Sequence, residues 1–138
     1  MGGVLLAITL VFTTEWIAQV PWIVPLMIAV GAIRRVQLPV TKYTAIQLVG
    51  MVSVGGALVI GPVATALALA GGIYFIDRIW LRRDGTAAWI NAAREVIALY
   101  AAYGWYAWGR LPLGAEPLAV DGQSVPAIAL LILTQFLI

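Results

Sequence analysis

The stretch GPVATALALAGGIYFIDRIWLRR, residues 61–83, decides how this chain is read. Gly61-Pro62 signals a turn, and Pro62 suits a helix start because the N–H it lacks has no intrahelical partner there anyway. The run Val63 to Leu81 that follows is apolar except for a few polar side chains, and it has about the ~20 residues a membrane span requires. Ala64, Ala68 and Gly72 recur along it at four-residue spacing, with Gly71 adjacent. Small side chains at that spacing let two helix backbones approach closely where lipid supplies no hydrophobic drive. Arg82-Arg83 close the run with positive charge.

The composition of the whole chain agrees with that reading. Hydrophobic residues make up 63% and charged residues 10% of the 138, and the mean hydropathy is +1.01. Ordinary soluble domains carry about 25% charged residues. Eight basic and six acidic side chains cannot coat a water-soluble surface of this size. The chain therefore reads as an all-α integral membrane protein, a polytopic transmembrane helix bundle forming a single domain over residues 1–138. Cysteine and histidine are both absent. That excludes disulfides, thiolate or imidazole metal ligands, His or Cys axial ligation of haem, and Ser-His or Cys-His catalytic pairs. The net charge is only +2 and the arginines fall between apolar runs, so nucleic acid is not an expected partner.

Upstream, Tyr43 to Ile60 reads as the partner helix, carrying Gly50, Ser53, Gly55, Gly56 and Ala57. Its small-residue face predicts close antiparallel packing against Ala64, Ala68, Gly71 and Gly72. Arg34 to Lys42 reads as a loop. The run from Val4 to Ile33 would measure about 45 Å as one helix, well beyond the ~30 Å core. Glu15, Gln19, Pro21 and Pro25 interrupt it, with Trp16 and Trp22 as interface aromatics. Two readings stay open: short helices 3–18 and 22–35 joined at Gln19 to Pro21, or one long, tilted, proline-kinked helix. No basic n-region or cleavage site marks a secretory signal, and Leu6 replaces the Ser or Thr of a myristoylation motif. Downstream, Ala87 to Trp108 is a helix with Thr86 as its N-cap, Gly109 to Ser124 a loop, and Val125 to Ile138 a short last helix. The predicted spans are thus five to six, approximately 3–18, 22–35, 43–60, 63–81, 87–108 and 125–138, the first two and the last being short.

Charge sets the orientation. Arg34, Arg35, Lys42, Arg78, Arg82, Arg83 and Arg94 fall on one side and only Arg110 on the other, with Glu116 and Asp121. By the positive-inside rule the Arg34, Arg35, Lys42, Arg82, Arg83 face is cytoplasmic, which implies a multi-pass protein of the bacterial inner membrane. Asp77 and Arg94 come to similar depth by counting residues from the helix ends, and an interhelical ion pair between them is expected, since an unpaired charge there is costly. Trp105, Tyr106 and Trp108, like Trp16 and Trp22, read as an interface belt or as contacts to lipid or a partner.

Leu38-Pro39, Gly61-Pro62, Arg82-Arg83, Asn91-Ala92-Ala93 and Leu111-Pro112-Leu113 together resemble the multi-helix N-terminal membrane region of bacterial signalling proteins, over about residues 34 to 138. In that group the region precedes an HD-type phosphohydrolase, a GGDEF-type cyclase or a histidine-kinase domain. The resemblance implies a sensor or membrane anchor, with no catalytic residues to carry over, and the chain departs from the pattern in lacking an output domain before Ile138.

Three classes of function follow. The expected one is a non-enzymatic accessory or structural subunit packing laterally in a larger membrane complex, respiratory or photosynthetic, because the predicted helix centres carry no midplane charges. The alternatives are a sensor or anchor module and a small transporter component. The expected partners are membrane lipids and other transmembrane polypeptides. No catalytic, metal or cofactor-ligating residues are assigned. Contact with a lipid, carotenoid, quinone or peripheral pigment is the extent of the cofactor expectation.

Overall fold

The computed structural model describes residues 1–36, 38–41, 44–46 and 49–110. The first apolar run is divided. Helix α1 covers Gly2–Phe12 and ends where Thr13 turns extended, at φ −126° and ψ 132°. Thr9 and Thr13 both donate their hydroxyls back to carbonyls four residues earlier, at 3.0 and 2.6 Å, a competition with the helix ladder that favours termination. A single turn, α2 (Glu15–Ala18), leads into α3 (Val20–Arg35), which opens on Pro21 and carries Pro25 inside it. A two-stranded antiparallel ribbon follows, β1 (Leu38–Thr41) with β2 (Thr44–Ile46), pairing Leu38 with Ile46 and Thr41 with Thr44. Then come α4 (Val49–Val59), α5 (Pro62–Phe75) with a π-helical turn at Ile76–Trp80, and α6 (Gly85–Arg110).

Three boundaries differ from the sequence expectation, the first being the end of the first helix, at Phe12 rather than residue 18, with Pro21 inside the next helix instead of in the joining turn. The helix expected over 43–60 begins only at Val49, because Val40, Thr41, Thr44 and Ile46 belong to a β-branched stretch that pairs as a ribbon instead. The chain is therefore not wholly helical. Helix α6 begins at Gly85, and the Ala88 N–H donates to the Asp84 carbonyl, so Thr86 lies inside the first turn rather than capping it. The helix expected at 125–138, the loop before it with Glu116 and Asp121, and Lys42 lie outside the described residues.

Packing gives the direction of each helix. Gly2 abuts the Ala93 backbone, Gly3 faces Trp89, and the Thr9 hydroxyl meets the Tyr100 hydroxyl at 2.7 Å, so α1 runs parallel to α6. Likewise Met27 and Val30 face Gly72, Gly31 faces Ile76, and Arg34 reaches Asp77, so α3 runs parallel to α5. Helices α5 and α6 form an antiparallel hairpin, which makes α1 and α3 antiparallel: the chain doubles back between Phe12 and Val20. The result is an up-and-down bundle with Arg34, Arg83 and the ribbon at one end and Gln19 and Gly61 at the other.

Helix α5 is central, with Ala64, Thr65, Ala66, Ala68, Leu69, Ala70, Gly72 and Ile73 all buried. It packs most extensively against α3 and α6 and less against α4, which corrects the expectation that residues 43–60 would be its closest neighbour. The glycines explain the change. A Cβ at Gly72 would sit 2.7 Å from the Met27 carbonyl oxygen, and one at Gly31 would sit 2.8 Å from Ile76, so both missing side chains serve the α3–α5 approach. From α4, Gly56 makes a comparable contact against Thr65 and Leu26, whereas a Cβ at Gly55 would meet nothing within 4 Å.

The outer surface is apolar. Val4, Ile8, Phe12, Trp22, Ile28, Met51, Val59, Phe75, Ile79, Trp89, Ile97 and Trp108 are all exposed, while Ser53, Thr65, Asp77 and Arg34 are buried. Among the described residues, one helical stretch, Pro62–Trp80 with 19 residues, is long and apolar enough to cross a membrane, and Gly2–Phe12 and Val49–Val59 are shorter apolar helices.

Candidate functional site

The most strongly organised polar group lies at the end of the bundle where α3, α5 and α6 meet. Asp77 is fully buried and Arg34 is 6% exposed. The two meet as a fork: Arg34 Nε donates to Oδ1 at 3.1 Å and Nη2 to Oδ2 at 3.3 Å. Asn91 Nδ2 donates to Oδ2 at 2.6 Å, and Arg83 Nη1 reaches the same oxygen at 3.5 Å. Bidentate, charge-assisted bonds of this kind are the strong class, and they offset the desolvation that burial imposes on both ions.

Local backbone geometry builds the cluster. Gly31 and Gly72 bring α3 close enough to α5 for the Arg34 side chain to span to Asp77. The π turn, closed by the Leu81 N–H on the Ile76 carbonyl at 3.0 Å, interrupts regular α geometry at Asp77. Arg82 then takes a left-handed conformation, φ 49°, which few non-glycine residues adopt. That reversal lets the Arg83 N–H donate to the Asp77 carbonyl at 2.9 Å and returns its guanidinium toward the carboxylate. Arg78 donates to the Arg83 carbonyl at 3.2 Å, holding the same turn from outside. Arg35 lies 3.8 Å over the Trp80 ring, a cation–π contact beside the cluster. Chemically, a carboxylate with these acceptor sites occupied by two guanidiniums and an amide is a structural lock between three helices.

The expected Asp77–Arg94 pair is not formed. Arg94 is 61% exposed and meets Glu95 at 3.4 Å, on the outer side of α6. Asn91 lies three residues earlier, nearly one turn away, and presents the donor that faces α5 instead. Arg34 also departs from expectation: it is buried in the cluster, whereas Arg35, Arg82 and Arg83 are exposed as a charged face. Sequence reasoning counted depth along α5 and α6 and missed α3, whose last turn supplies the counter-ion.

The remaining assigned residues divide. Ser53, Ala57, Ala64 and Ala68 are buried and Gly56, Gly71 and Gly72 make close contacts, whereas Gly50 is partly buried and a Cβ at Gly55 would meet nothing within 4 Å. Trp22, Trp105 and Trp108 are exposed, the last two stacked edge to face at 5.4 Å. Trp16 donates to the Leu10 carbonyl at 3.2 Å across the α1–α2 bend. Tyr106, assigned to the outer belt, is 2% exposed in a cluster with Val54 and Ala102, because it lies on the face of α6 turned to α4.

Among the described residues, two of the apolar clefts on the bundle's flanks lie between helices. One, of about 370 Å³, lies between Trp22 and Pro25 on α3 and Gly55 and Val59 on α4. The other, of about 430 Å³, lies between α2–α3 and the α5–α6 pair. Another cleft, of about 410 Å³, lies along α6 at Ala101, Gly104, Trp105 and Trp108. No protein family, curated protein or solved structure matches this chain.

Proposed function

We propose that this chain is a multi-span helical protein of the bacterial cytoplasmic membrane that serves as a non-enzymatic accessory subunit, associating laterally with other transmembrane polypeptides. The observation that carries the reading is the apolar outer surface of the bundle. Large aliphatic and aromatic residues are exposed on every helix, while alanines, glycines, Ser53, Thr65 and the Asp77–Arg34 pair share the interior with Leu69, Ile73, Val96, Leu99 and Tyr106. In water such a surface would drive aggregation, whereas in lipid it is solvated and small residues do the packing.

Three further features support it. The Pro62–Trp80 stretch of 19 residues rises about 28 Å, matching the ~30 Å hydrocarbon core. Arg34, Arg35, Arg78, Arg82 and Arg83 gather at one end, as the positive-inside rule requires of a cytoplasmic face. The β ribbon shares that end, where unpaired strand edges find water. Helices α1 and α4, with 11 residues each, are too short to cross on their own. Mismatch of that kind is relieved by local thinning or by a protein neighbour, and the second is the basis for the subunit reading.

The test is extraction from the native membrane in a mild detergent, followed by identification of what migrates with the chain. Stoichiometric transmembrane polypeptides are expected. A lone chain that binds a solute saturably would overturn the subunit reading in favour of transport. Co-migration with a cytosolic effector alone would favour the sensor or anchor module.

A further inference from the structure

The cleft between α2–α3 and the α5–α6 pair ends along α5 at Tyr74 and Phe75, just ahead of the arginine-rich segment 78–83. Its walls come from four elements: Trp16 on α2, Val20 and Met27 on α3, Gly71 and Tyr74 on α5, and Trp89 on α6. Its volume of about 430 Å³ lies within the ~300–1,000 Å³ of small-molecule sites. The walls are held in place. Trp16 is tied to the Leu10 carbonyl, and Tyr74 meets Trp89 edge to face at 6.2 Å. Gly71 leaves room for Met27 to lie across the floor.

Four residues beyond Tyr74 along the same helical stretch is Arg78, exposed and braced by its bond to the Arg83 carbonyl. That bond uses one of the five N–H donors of an exposed guanidinium. The segment 78–84 carries Arg78, Arg82 and Arg83 against Asp84 alone, since Asp77 is buried against Arg34. Exposed Ile79, Trp80 and Leu81 flank these arginines. An apolar cleft whose lining residues Tyr74 and Phe75 are followed within about one turn by an exposed arginine in a cationic segment is complementary to a molecule with a hydrocarbon chain and a phosphate. We propose that this cleft binds one anionic phospholipid, its acyl chain between Met27 and Trp89 and its phosphate at Arg78. The proposal rests on the membrane reading above.

The full chain, reconstituted in phosphatidylcholine vesicles with a minor share of phosphatidylglycerol, tests it by tryptophan fluorescence, one lipid at a time carrying brominated acyl chains. Brominated phosphatidylglycerol is expected to quench more than brominated phosphatidylcholine at equal content. Trp89→Phe should abolish the excess. Arg78→Gln should weaken the preference about fivefold, the size expected of one arginine at an anionic surface, and Arg78→Lys should restore part of it. Equal quenching by both lipids in the unaltered protein overturns the proposal, as does an excess that survives Arg78→Gln. The first comparison needs no variant, so it stands even if a substitution prevents folding. Displacement of the quencher by inorganic phosphate at constant ionic strength also overturns it, because the site then recognises free phosphate. Failure of the chain to float with phosphatidylcholine vesicles is a separate result, and it overturns the membrane reading itself.

Discussion

Asp77 is the residue on which three helices depend, and its partners set the size of any perturbation. Asp77→Ala leaves the Arg34 guanidinium buried without a counter-charge and is expected to cost about 3–5 kcal/mol, measured by thermal unfolding in detergent with helicity as the signal. Asp84→Ala, on the exposed loop, should change stability by no more than about 0.5 kcal/mol. Replacing both ions, as Arg34→Met with Asp77→Leu, should restore much of the loss, because a buried pair breaks even with well-packed apolar residues whereas half a pair does not. Arg94→Gln discriminates between the two pairings. The exposed Arg94–Glu95 contact is worth at most about 1 kcal/mol, so a large loss on that substitution would sink the Asp77–Arg34 assignment. Asp77 was legible in the sequence as a charge needing a partner. Which arginine answered was not, since Arg34 lies 43 residues away and comes near only through the parallel approach of α3 to α5.

At the scale of elements, glycines separate contact from mere composition. Gly72→Ala would drive a methyl group into the Met27 backbone carbonyl and should destabilise the α3–α5 contact by about 1–3 kcal/mol. Gly55→Ala meets nothing and should be neutral or gain up to about 1 kcal/mol from helix propensity. The paired unfolding measurements check both, and equal effects at the two sites would contradict this packing. Thr9→Val removes the bond to Tyr100 and is expected to cost about 1 kcal/mol while loosening α1 from α6, read as faster amide exchange in residues 2–12. Small-residue spacing announced that α5 would be closely packed. It did not say against what, because four-residue spacing describes one helix face and leaves the partner open.

For the molecule as a whole, alternation of helix direction predicts sidedness. Single cysteines introduced at Gln19 and Arg83, in a chain that has none of its own, should label from opposite sides of sealed vesicles. A tag ahead of Met1 should be reachable from the Arg83 side, since α1 runs parallel to α6. Labelling of both cysteines from one side would overturn the proposed topology. Composition, the proline and glycine punctuation and the placement of arginines were sufficient to establish a helical, apolar chain with a charged end, because those properties are local and additive along the sequence. The ribbon at 38–46, the return of the chain after Phe12, the central position of α5 and the identity of the Asp77 partners were decided only in three dimensions. Each depends on which faces meet. Between near-equivalent apolar helices, that choice is made by close contacts at a few glycines and by where a buried charge finds its counter-ion, quantities to which hydropathy and spacing are blind.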